Sequence, residues 1–124
     1  MLYTLLDTTG TSRFPLINHK VISWVENGKR YMMHTPRRGT PVIESAEEFI
    51  KSGRKIKSIS FKEINRDARQ YHEVNKNRKF NLLNYNCEHF YNGFVNNKEY
   101  SPQLIVYGLF AIYAGYKLIK NNEK

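Results

Sequence analysis

The order of patterns along this chain predicts an α+β fold with a small antiparallel sheet: a short strand, a β-hairpin, then helix signals with one further strand between them. Three observations carry that prediction. Asn27-Gly28 sits between two runs rich in β-branched, aromatic and long apolar residues, and Asn-Gly is the favoured type I′ turn because both positions tolerate positive φ. Two capping boxes, Ser45-Ala46-Glu47-Glu48 and Ser60-Phe61-Lys62-Glu63, announce helix starts. At 124 residues and 40% hydrophobic composition, the chain can close one modest core.

The elements follow in order. Residues 2–6 are an apolar run ending in the turn-rich Asp7-Thr8-Thr9-Gly10, which predicts a first strand. Residues 19–25 and 30–35 form the two arms of the hairpin. The Ser45 box begins a short helix that Gly53 can stop, and residues 55–59 read as a strand. The Ser60 box predicts a longer helix, with Ile59 and Ile64 as its hydrophobic staple. Ile64, Ala68 and Tyr71 would be its buried face, and Lys62, Arg66 and Arg69 its basic face. Asn86, a strong N-cap type, predicts a third helix running through Val95. Residues 1–103 therefore form the body, and residues 104–124 an apolar helix with a basic tail.

Composition narrows the function. The net charge is +9, and ten of the twenty Lys and Arg fall in residues 51–79 against three acids, Glu63, Asp67 and Glu73. Such a block is either a solvated basic surface or a means of attracting anionic partners, a membrane surface or nucleic acid. No nucleic-acid-binding pattern accompanies it, so nucleic acid ranks behind the membrane. The first twenty residues lack the layout of a secretory signal, and a lone cysteine forms no internal disulfide. A reducing, cytoplasmic setting is the expectation.

That cysteine is the centre of the chemical reading. With Asn86 as N-cap, Cys87 opens a helix, where free N–H groups and the helix dipole favour a thiolate. A nucleophilic thiol also needs a base and a group to orient it. Counting outward from Asn27-Gly28 pairs Glu26 with Lys29, Trp24 with Tyr31 and Val21 with His34. His19 shares a face with Val21, so His19 and His34 become diagonal neighbours on one face. Ile22, Trp24, Tyr31 and Met33 occupy the other face and suit a core. His72 reads as a helix-surface residue and His89 as packing behind Cys87. The spacings match no Cys/His zinc pattern, and nothing in the sequence calls for a cofactor.

The string Asn84-Tyr85-Asn86-Cys87-Glu88-His89-Phe90 resembles the nucleophile motif of the lecithin retinol acyltransferase family, a circularly permuted papain-like group. The resemblance covers roughly residues 17–36 and 80–103. It implies a permuted papain-like fold with His19 as base, His34 as its orienter and Cys87 as nucleophile. Pro36 follows His34 as a proline often does in that family. The Pro-Gly-Asp motif that usually precedes the first histidine has no counterpart in residues 2–17, and fourteen residues separate the two histidines, a few more than usual. The implied activity is thiol-dependent acyl transfer or hydrolysis of a lipid ester through a Cys87 thioester. Glu88 and the backbone near Cys87 would help form the oxyanion site. A cysteine peptidase or amidase would use the same residues, and a non-enzymatic interaction protein with a basic surface is the third reading.

Residues 104–119 contain one charge, Lys117, before the tail that ends at Lys124. As a helix the segment spans about 24 Å, short of the roughly 30 Å hydrocarbon core. Tyr107, Tyr113 and Tyr116 suit a membrane interface, and Gly108, Ala111 and Gly115 line one side. Two outcomes stand: a membrane anchor, as several members of the resembled family carry, or a terminal helix docked on the sheet.

Overall fold

The computed structural model describes residues 1–9, 19–36, 39–81 and 86–122, apart from the side chains of Gln103, Leu104, Tyr107, Asn121 and Asn122. Residues 10–17 of the segment without a Pro-Gly-Asp motif, the Asn84-Tyr85 part of the cysteine motif and the end of the basic tail lie outside the described residues.

Five strands form one antiparallel sheet: β1 (Leu2–Thr8), β2 (His19–Glu26), β3 (Lys29–His34), β4 (Val42–Ser45) and β5 (Ile56–Glu63), in the order β4-β3-β2-β1-β5. Four helices accompany it: α1 (Ala46–Ile50), α2 (Ala68–Asn75), α3 (Cys87–Val95) and α4 (Pro102–Asn122). The fold is α+β, as expected. The hairpin has the counted register, with Glu26 opposite Lys29 and Trp24 opposite Tyr31. Its turn residues Asn27 and Gly28 have φ of 53° and 77°, which a type I′ turn requires.

Alternation along the strands splits the core in two. Tyr3, Leu5, Ile22, Trp24 and Met33 face Phe90, Phe94 and Val95 of α3. On the opposite face Leu6, Val21 and Met32 meet Phe49 of α1. Ser45 caps α1 by accepting the Glu48 N–H, and Gly53, at φ 77°, turns the chain after it.

The expected helix from Ser60 does not form; residues 56–63 are strand β5, and the helix begins only at Ala68. β1 is an interior strand needing hydrogen-bond partners on both edges, and β5 supplies the second edge from Leu2↔Glu63 to Thr8↔Ile56. Backbone pairing outweighs a local capping signal worth about 1 kcal/mol. The expected buried face partly survives: Ile64 and Ala68 are buried, and Tyr71 packs against the same core. Two of the three basic residues cap α3 instead of forming a solvent face. Arg66 donates to the carbonyls of Gly93 and Phe94, and Lys62 Nζ to that of Val95, meeting acceptors that a helix C-terminus leaves open. β4 has no counterpart among the expected elements.

α4 is a helix of 21 residues that does not dock on the sheet: Phe110 is 71% and Tyr113 55% exposed. No helix among the described residues is long and apolar enough to cross a membrane.

Candidate active site

Asn86 prepares the cysteine. Its side chain accepts the N–H groups of Glu88 and His89, while His89 Nδ1 accepts the Asn86 N–H at 2.9 Å, closing a capping box. His89 is thus a cap partner beneath Cys87, close to its expected packing role. Asn86 Nδ2 also donates to Ser101 Oγ, whose hydroxyl donates to Glu88 Oε1 at 2.7 Å. This buried network fixes the first turn of α3. It also redirects Glu88: its carboxylate is committed to Ser101, and a carboxylate can only accept, so it brings no donor to an oxyanion.

The two histidines meet as counted. His19 Nε2 lies 2.8 Å from His34 Nδ1, the rings edge to face with centroids 4.9 Å apart. Both are buried, and Phe49 lies edge-on to His34. Beyond them stands a residue that sequence reasoning missed. Glu44 Oε1 on β4 lies 2.8 Å from His34 Nε2. The signal for it was weak, because β4 is four residues long and runs straight into the Ser45 cap.

The chain Glu44–His34–His19 has a definite proton polarity. A carboxylate only accepts, so His34 Nε2 carries a hydrogen and His34 Nδ1, in the neutral ring, accepts. His19 must then donate through Nε2, which leaves Nδ1 as the nitrogen able to take a proton. Burial, reinforced by the neighbouring His34, holds His19 well below the ordinary 6.5. Burial also lowers His34, against the raising effect of its Glu44 hydrogen bond. Both rings are therefore neutral near pH 7, which an accepting base requires.

Cys87 touches the strand that carries His19 at the Lys20 peptide. α3, which carries Cys87, covers the Ile22 face, whereas the His34 ring packs against Phe49 of α1 on the other face. The Lys20 N–H donates toward the Cys87 sulfur, which sets the thiol against the peptide joining His19 to Lys20. The expected lowering of the thiol pKa does not occur. Burial pushes it up, and the Lys20 N–H and the charges of Arg54 and Lys20 offset this only in part. Desolvation of a nearly covered sulfur outweighs the favourable helix terminus. At rest the thiol is protonated and both imidazole rings are neutral.

His72 lies apart, its Nε2 2.9 Å from the Pro41 carbonyl. A groove of about 780 Å³ between α2 and the end of α3, lined by residues including Arg66, Tyr71 and Glu99, contains none of the three site residues. Among the described residues no three His, Cys, Asp or Glu side chains group to hold a metal ion. No family model matches this chain, and no curated protein or solved structure matches it either.

Proposed function

We propose that this protein is a thiol-dependent acyltransferase or hydrolase acting on lipid esters, similar in site and fold to the lecithin retinol acyltransferase family and its permuted papain-like architecture. One observation carries the reading. A buried His19–His34 pair with fixed proton polarity stands at the strand end whose next peptide contacts the sulfur of Cys87.

In this mechanism the Cys87 sulfur attacks the ester carbonyl carbon while His19 Nδ1 takes the thiol proton. His34, held by Glu44, orients His19 and shares the positive charge that forms. The tetrahedral adduct collapses by breaking the ester C–O bond, and His19 returns the proton to the departing alkoxide. Water or an acceptor then attacks the thioester, gives its proton to His19, and the thiol re-forms.

The exposed apolar residues of α4 support a lipid substrate over a peptide. Tyr113 and Tyr116, with Lys117 over the Tyr113 ring and Lys120 over the Tyr116 ring, suit shallow insertion at an anionic membrane surface on the cytoplasmic side.

Incubation with a panel of lipid esters, followed by intact-mass measurement, tests the reading. An acyl adduct on Cys87 is expected, absent in Cys87→Ala and lost with turnover in His19→Ala, while His34→Ala retains a residue of activity. Turnover by Cys87→Ala, or no adduct with any ester, would overturn it.

A further inference from the structure

Two cations act electrostatically on Cys87, and they are held differently. Lys20 Nζ lies 2.5 Å from Asp7 Oδ1 and so has its counter-charge. Arg54 has none among the described residues. Its guanidinium is half-buried, and its Nε is fully covered without a hydrogen-bond partner. Glu44, the carboxylate whose field reaches it, is engaged with His34.

The backbone fixes where Arg54 stands. After the Gly53 turn, Lys55 N–H donates to Thr9 Oγ1 at 3.0 Å, and the Lys55 carbonyl accepts the Thr9 N–H at 2.8 Å. Thr8, the preceding residue, sits opposite His19 in the sheet, and its hydroxyl donates to the His19 carbonyl. Arg54 therefore flanks the end of the sheet where His19 begins β2. From there its charge reaches Cys87, His19 and His34 together.

A guanidinium half withdrawn from water with no counter-charge among the described residues is unfavourable unless an anion meets the part of it that reaches solvent. Its planar fork of donors matches the oxygens of a phosphate or carboxylate. We infer that Arg54 is an anion-recognition subsite beside Cys87, which seats a phosphate or carboxylate group of the acyl substrate and selects anionic substrates over neutral ones. The assignment rests on Cys87 being the nucleophile. It differs from a role in stabilising the reaction's own oxyanion, because a recognition subsite acts only on substrates that carry the charge.

Alkylation of the intact protein with iodoacetate and iodoacetamide separates these possibilities. The two reagents deliver nearly the same group to sulfur, one with a negative charge and one without. Their rate ratio cancels any change in the thiol itself. Relative to a free thiol, the ratio should favour iodoacetate by about tenfold, as one uncompensated charge at partial burial allows. Arg54→Gln should return it to the free-thiol value, Arg54→Lys should keep part of it, and circular dichroism checks that both variants fold. Inorganic phosphate should protect Cys87 from both reagents in the native protein, and acetate in place of phosphate tells which oxygen group is preferred. A ratio unchanged in Arg54→Gln, or both rates falling equally, would overturn the subsite while leaving Cys87 as nucleophile. A thiol inert to both reagents until denaturation would remove the nucleophile instead. The subsite, defined as lying beside that nucleophile, falls with it.

Discussion

α3 and α4 are consecutive apolar helices that end in opposite environments. α3 has nine residues, of which seven are buried. α4 has 21 residues, and Ile105, Val106, Leu109, Phe110, Ile112, Tyr113, Tyr116, Leu118 and Ile119 are all exposed. Hydrophobicity therefore does not separate them; partners do. Phe90 and Phe94 interlock with Tyr3 and Tyr71, whose hydroxyls bond the Arg66 and Phe90 carbonyls respectively. Both ends of α3 are closed, by the Asn86 box at one and by Lys62 and Arg66 at the other. A helix fixed this way presents Cys87 with little freedom, as a nucleophile requires. α4 is left available to something outside the chain.

The largest test of that contrast is a pair of identical truncations. Phe94→Ala should destabilise the protein by about 3–5 kcal/mol, since a fully buried ring leaves a cavity in the main core. Phe110→Ala should change stability by less than about 0.5 kcal/mol, as for other exposed positions. Urea unfolding of both variants measures the difference. Comparable losses would mean that α4 is part of the core after all.

A second effect belongs to the body alone. His19, His34 and His89 are all held below the ordinary 6.5, chiefly by burial, and α4 contains no histidine. The sign follows from proton counting. Below about pH 6.5 the unfolded chain binds protons that the folded chain resists, so the unfolded state gains. Their contribution is complete above pH 6.5 and is lost as pH falls from there toward the folded values. The melting temperature should accordingly decline with acidification through this range. His34→Gln should flatten the decline, and an unchanged slope in that variant would detach it from the histidine pair. Alkylation of Cys87 should be slow at pH 7 and rise only in the alkaline range, because burial keeps the thiol protonated.

The parts of the fold that were legible in the sequence are those where one local rule meets no rival. The hairpin register rests on Asn27-Gly28 and on period-2 alternation, and both operate before any tertiary contact forms. The same holds for the Asn86 cap, hence for the placement of Cys87. Residues 60–63 failed because their capping pattern competes with the open edge of β1, and a distant strand's need for partners leaves no mark on the local sequence. Glu44 and Arg54 were missed for a related reason. Their significance comes from strands and turns that set Glu44 against His34 and bring the charge of Arg54 to bear on Cys87, and neither lies in a recognisable motif.

The smallest effect on stability carries the most for function. Deleting residues 102–124 removes α4 but spares Ser101, whose hydroxyl sits between Asn86 and Glu88. The large apolar side chains of α4 that the structure describes are exposed, and the added carbon that Gly108 or Gly115 would carry meets no atom within 4 Å beyond its own stretch of helix. The melting temperature and Cys87 reactivity should therefore stay close to those of the full chain. Vesicle binding should not. The full chain is expected to sediment with anionic vesicles through α4, aided by the basic residues at about 1 kcal/mol each, and to release as salt screens them. The deleted chain should stay in the supernatant at any salt concentration. If it still binds at low salt, the basic residues of the body are the anchor and α4 has another partner. If the deletion unfolds the protein, α4 is a structural element, and the contrast with α3 disappears.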